Sequence, residues 1–195
     1  MKRLFITVVF TMIAAMSFAQ FNLGAKMGMN FSKLATDREI MKESMQPGVD
    51  VGLFARLGFG NKFYLQPEVL YSFQSYKTEI DALGYNITSF KTKTHNVLVP
   101  ILVGYKLFDA KLMNVRIFLG PNLGFNLANK AGNNEEGLAN LTVMNIAGDI
   151  GIGIDVAMIT LDVKYSYGFT SANKNTDVYK SHNNMFAISL GWKFL

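Results

Sequence analysis

His95 and His182 are the only imidazoles in the 195-residue chain, and there is no cysteine. Beside Asp177 or Ser181, either histidine could in principle activate a hydroxyl for acyl transfer. That chemistry needs a nucleophile held on a sharp turn with donors for the oxyanion, and no G-x-S-x-G or comparable motif occurs. Two histidines without cysteine or close spacing also make a poor metal site. Asp37, Glu39, Glu43, Glu135 and Glu136 lack the spacing of a calcium loop and read as solvated charge. The glycines at 120, 124, 148, 151, 153, 168 and 191 resemble no phosphate loop, because no helix pattern follows them. These residues predict no catalytic site, no cofactor and no metal, hence a non-enzymatic protein.

A second set of charges is more orderly. Lys26, Asp50, Arg56, Glu68, Arg116, Asp149, Asp162 and Lys164, joined by Lys106, Asp155 and Lys193, all fall on one parity of segments with a period of two. In the first segment Phe21, Leu23, Ala25, Met27, Met29 and Phe31 share one face, and Asn22, Gly24, Lys26, Gly28, Asn30 and Ser32 share the other. Such alternation is the signature of a strand with one oily face. It recurs over 49–59, 63–73, 95–107, 115–127, 145–156, 159–169 and 186–194, which predicts eight strands. The plentiful phenylalanine, tyrosine and glycine favour strands over helices as well.

None of the oily faces carries a charge, although 17% of the chain is charged. A soluble sandwich also hides one face of each strand, so three further features decide between the two. Aromatic residues sit at both ends of the oily faces. Phe21, Phe59, Phe63, Tyr105, Trp192 and Phe194 would form one ring, and Phe31, Tyr71, Phe73, Phe125, Tyr167, Phe169 and Phe186 the other. The two interfaces of a bilayer select such girdles. Connections alternate between long, polar links at 34–47, 75–95, 128–144 and 170–184 and short ones at 60–62, 108–114 and 157–158. The opposite parity carries both signs of charge, which would pair inside a narrow bore. The predicted fold is all-β: an eight-stranded antiparallel up-and-down transmembrane β-barrel. Met27, Val99 and Leu190 would face lipid, with Lys26, Glu68, Asp149 and Lys164 facing inward.

Residues 1–19 read as a secretory signal peptide, leaving 20–195 as the barrel domain. Lys2 and Arg3 precede the apolar LFITVVFTMIAAM, and Ser17-Phe18-Ala19 places small residues before a cleavage between Ala19 and Gln20. Loss of Lys2 and Arg3 takes the formal charge from +5 to +3. Basic residues are spaced singly despite a pI near 9.3, which speaks against nucleic acid as a partner. The expected location is the outer membrane of a Gram-negative cell. The expected contacts are outer-membrane lipid and lipopolysaccharide, and the barrel-assembly machinery during insertion.

Seven segments follow one another in the order of a known family: QPGVDVGLFARL, FYLQPEVLYSFQ, HNVLVPILVGYKL, VRIFLGPNLGF, GDIGIGIDV, LDVKYSYGFT and ISLGWKF. The chain resembles the PorT-like outer-membrane β-barrel family along nearly all of its mature length. The resemblance implies prolines at bulges or kinks for Pro67, Pro100 and Pro121, which otherwise sit awkwardly inside strands. Many relatives carry arginine where this chain has Lys164, which keeps the charge but not the bidentate fork. The resemblance also implies a role in secretion or envelope assembly with partner proteins, since the founding member is associated with type IX secretion and gliding machinery. A narrow porin-type channel for ions or small solutes, and a lipid-modifying enzyme, are the competing functions.

Overall fold

The computed structural model describes residues 21–36, 41–44, 46–80, 88–110, 112–131, 144–169 and 181–195. The strands are β1 (Phe21–Thr36), β2 (Met41–Ser44), β3 (Gln46–Phe59), β4 (Phe63–Ile80), β5 (Thr88–Asp109), β6 (Met113–Ala131), β7 (Met144–Val156), β8 (Ile159–Gly168) and β9 (Ser181–Lys193). Every pairing is antiparallel, in the order β4-β3-β1-β9-β8-β7-β6-β5, and β5 returns to β4 to close the ring. The short β2 pairs with the far end of β4 in line with β3, so the barrel has eight staves. Closure leaves no edge along the wall, which a sheet needs when lipid offers no hydrogen bonds.

The faces follow the alternation of the sequence. Met27, Leu119, Ile150 and Trp192 point outward, each more than half exposed. Lys26, Glu68, Arg116, Asp149 and Asp162 are buried inside. A water-soluble protein has the opposite polarity. The outer wall is therefore made for hydrocarbon. Aromatic contacts mark its two ends: Phe63 packs edge-on against Tyr105 at 5.0 Å near the turns, and Tyr167 packs against Phe169 at 5.6 Å at the opposite end.

Turn chemistry fixes the register at the end that carries the short links. Gly60 takes φ +63° in the turn between β3 and β4, a conformation that costs little without a side chain. Ala157 takes φ 51° in the two-residue turn between β7 and β8. The third short link is tighter than 108–114. A register shift between Lys106 and Phe108 carries β5 on to Asp109, and β6 begins at Met113. Leu107 and Phe108 consequently both lie on the outside.

The long links are corrected in the same direction. Strand pairing runs on to Thr36, Ile80 and Ala131 and resumes at Thr88 and Ser181, well inside the expected connections 34–47, 75–95, 128–144 and 170–184. The β4–β5 ladder stays in register through Ile80 and Thr88. An oily face marks a strand only where it faces lipid. Beyond the bilayer, the β-branched and aromatic residues of YKTEI and TSFKTKT extend the ladder without one.

Of the bulges or kinks expected at the prolines, the bulges are absent, because no proline stands at a register shift. Pro67 is opposite Ile101, Pro100 opposite Asn122 and Pro121 opposite Gly148, each with unshifted pairing on both sides. The shifts fall between His95 and Asn96 and between Lys106 and Phe108. Pairing instead lapses and resumes in register: from Phe54↔Glu68 to Leu57↔Leu65, from Pro67↔Ile101 to Leu70↔Leu98, and from Pro100↔Asn122 to Val103↔Leu119. A proline lacks the donor that the ladder needs.

Candidate functional site

The bore of the barrel is filled by two layers of side chains. In the layer nearer the short turns, Arg116 of β6 is fully buried. Its Nε donates to Asp155 at 3.3 Å, Nη1 to the Tyr64 hydroxyl at 3.1 Å and Nη2 to Thr160 at 2.5 Å, with Asp162 also paired to Nη2. Gly153 makes room for this, since a side chain there would occupy the place of the Arg116 guanidinium and the Asp162 carboxylate. Arg56 of β3 donates from Nε to Gln66 at 2.7 Å and pairs through Nη1 with Asp155. Since β3 and β7 stand four staves apart in either direction, that ion pair crosses the bore.

Lys26 of β1 extends the layer upward, donating to Glu68 at 2.6 Å and to Asp162 at 2.9 Å. Gln66 donates to the same Glu68 at 2.6 Å, and Lys193 reaches Asp155 at 3.2 Å. Rings fill the space between the cations. Arg56 lies 5.1 Å from the Tyr64 ring centre, Arg116 lies 5.5 Å from that of Phe118, and Lys26 lies 5.4 Å from that of Phe54. Burying charge is costly unless every ion is paired and hydrogen-bonded. In the continuous chain from Glu68 through Lys26, Asp162, Arg116 and Asp155 to Arg56 every ion is paired, and only Glu68 Oε2 and Arg56 Nη2 at its two ends lack a hydrogen-bond partner.

In the layer nearer the long loops, amides and hydroxyls surround three charges, Asp50, Asp149 and Lys164. Asn30 donates to Asp50 at 2.6 Å and to Ser72 at 3.3 Å, and Gln74 donates to Ser72 at 3.1 Å. Asn122 donates to both oxygens of Asp149 at 3.1 and 3.2 Å. Lys164 lies 2.9 Å from Asp149, off the direction of a hydrogen bond. Leu70, Leu98 and Met185 form a small apolar cluster beside these groups.

All eight charged residues expected in the bore are inside it: Lys26, Asp50, Arg56, Glu68, Arg116, Asp149, Asp162 and Lys164. They do not form one network. Asp50 has amide and hydroxyl neighbours and, among the described residues, no ion-pair partner within reach. Lys106 sits at the rim with Asp109 at 3.0 Å. Tyr64, Gln66 and Thr160 connect the charges and escape a search for side chains charged at neutral pH. Their parity, shared with Glu68 and Asp162, is the signal that would find them.

His95 lies on the outer wall, where its Nδ1 shares a hydrogen bond of 2.6 Å with the Tyr71 hydroxyl and its ring packs 5.2 Å from Phe73. His182 is on β9, opposite Ala35, four staves from β5. The two histidines therefore stand on strands at opposite sides of the ring. Ala19, Gln20, Asp37, Glu39, Glu135, Glu136 and Asp177 lie outside the described residues. Among the described residues, no group of three or more histidine or acidic side chains is placed to hold a metal.

A closed wall, an apolar exterior and a charged, filled bore together define an integral outer-membrane barrel. The family model for the outer membrane protein beta-barrel domain matches residues 18–174, and the chain belongs to that family. The protein accordingly resides in the outer membrane, in contact with its lipid. Its structure is similar to that of the outer membrane protein OprG from Pseudomonas aeruginosa, at 12% identity over 88% of this chain and 95% of that one, with a TM-score of 0.49. It is also similar to Neisserial surface protein A, at 18% identity over 89% and 97% of the two chains, with a TM-score of 0.49. Ail, the attachment invasion locus protein of Yersinia pestis, gives 11% identity over 89% and 98%, with a TM-score of 0.47. No curated protein matches the chain in sequence.

Proposed function

We propose that this is a non-enzymatic barrel whose bore is a structural plug and whose work is done by the parts that project beyond the lipid. The role that fits is PorT-like, in secretion or envelope assembly with protein partners, after insertion by the barrel-assembly machinery. The observation that carries the reading is the bore-crossing pair of Arg56 and Asp155, locked by the fully buried Arg116. An open path for solutes would have to displace ions that hold one another away from water.

The strand lengths support the second half of the proposal. A membrane strand needs about 9–11 residues, whereas β5 has 22 and its partner β4 has 18. Much of that hairpin therefore stands beyond the hydrocarbon, at the end where loops reach the cell exterior. Recordings in planar bilayers test the plug: the purified protein should give no resolved current steps. Stable, ion-selective steps would establish the channel function instead.

A further inference from the structure

The outer wall changes its chemistry where β4, β5 and β6 leave the hydrocarbon at the long-loop end. Tyr71 and Phe73 of β4 and His95 of β5 stand there on the lipid-facing side. The Tyr71 hydroxyl holds His95 Nδ1 at 2.6 Å, and Phe73 packs 5.2 Å from the imidazole ring. That leaves Nε2 without a partner among the described residues. Rings of this kind settle at the level of lipid headgroups, so the group marks where the hydrocarbon ends.

The ladder runs on past this group with charges of one sign. Lys93 of β5 is opposite Lys130 of β6, and Lys77 of β4 is opposite Lys91 of β5. Counted through the register shift beside His95, both pairs share its parity and fall on the outer face of three neighbouring staves. Like charges directly opposite one another weaken a ladder, and here they occupy two successive rows. Among the described residues of this face the one acid is Glu79, and Lys42 of β2 stands opposite it. With that pair cancelled, the two lysine rows leave an excess of positive charge.

Depth decides what the lysines would meet. At about 3.3 Å per residue, Lys93 lies roughly 7 Å beyond His95 along the strand and Lys91 roughly 13 Å. The headgroup region is itself about 5–8 Å deep on each side of the hydrocarbon. The lower row therefore falls among headgroups, where a soluble acidic partner would have to displace the lipid packed around the wall. The long-loop end faces the cell exterior, so these are headgroups of the outer leaflet.

We propose that the outer face of β4, β5 and β6 binds a phosphorylated outer-leaflet lipid of the lipopolysaccharide class, its phosphates set between the lysine pairs and its headgroup against His95. The anion relieves the repulsion across both rows, and the hydrogen bond from Tyr71 keeps the imidazole oriented beneath them. The inference rests on the outer-membrane location and not on the plugged bore.

The test uses the full chain folded in maltoside micelles, with the backbone amides of Lys93 and His95 followed by NMR. Diphosphoryl lipid A is the probe, and inorganic phosphate at equal phosphate concentration is the reference. Saturable shifts with lipid A, absent with inorganic phosphate, are expected. The Lys93→Gln, Lys130→Gln double variant should bind about tenfold more weakly or worse, because each lysine at a membrane surface adds severalfold to the attraction for anionic lipid. The Lys62→Gln, Lys106→Gln double variant removes the same charge at the short-turn end and should bind like the parent. Folding of both is verified by faster migration of the unheated protein on a gel. Equal saturation by inorganic phosphate would reveal a bare anion site, and equal weakening in the two variants would reduce the effect to net charge. Either result overturns the proposal, as does a folded Lys93→Gln, Lys130→Gln variant that binds like the parent.

Discussion

The two layers of the bore solve the same problem differently. Near the turns, Arg116, Arg56 and Lys26 share three carboxylates in one cross-braced network. Near the loops, Asn30, Ser72, Gln74 and Asn122 carry most of the bonding, with one ion pair between Lys164 and Asp149. A charge lattice is stiff because removing one ion strands its partners. The loop-end layer tolerates the loss of a neutral bond better, because bonds such as Gln74 to Ser72 contribute only about 0.5–1.5 kcal/mol net. The barrel is braced hardest beneath its short turns and more softly beneath its projecting hairpins.

The largest effect should come from Arg116→Leu, which strips a shared cation from Asp155 and Asp162. A loss of about 3–5 kcal/mol is expected, read as a lower urea midpoint for unfolding from lipid vesicles. Lys164→Gln should cost less, about 1–3 kcal/mol, because Asp149 keeps both bonds from Asn122. If that variant is as damaging as Arg116→Leu, the two layers do not differ in kind. Ser72→Ala should be mildest, at about 1 kcal/mol or less in the same unfolding assay, since Asn30 retains Asp50. A larger loss would mean that the hydroxyl is a keystone of the upper layer.

Which residues face the bore is legible in the sequence, because side chains in a strand alternate strictly. Lys26 and Asp162 can each be placed inward from their neighbours alone. That they touch is not legible, since they are 136 residues apart. Their meeting depends on closure and on the stagger between staves, and many staggers satisfy the same alternation. The far ends of β4 and β5 are hard to read for a different reason. There the hydrophobic contrast that marks a strand in lipid has ended, while the hydrogen-bonded ladder continues.

The prolines have a consequence for how the wall responds to force. Pro67, Pro100 and Pro121 stand on three neighbouring staves, and beside Pro67 and Pro100 the ladder lapses before resuming in register. A cylinder knitted this way has a perforation: a line where fewer stitches cross from stave to stave than elsewhere. Under tension or bilayer bending, tearing would begin along β4, β5 and β6, while the unbroken pairing of β7, β8 and β9 held the opposite side.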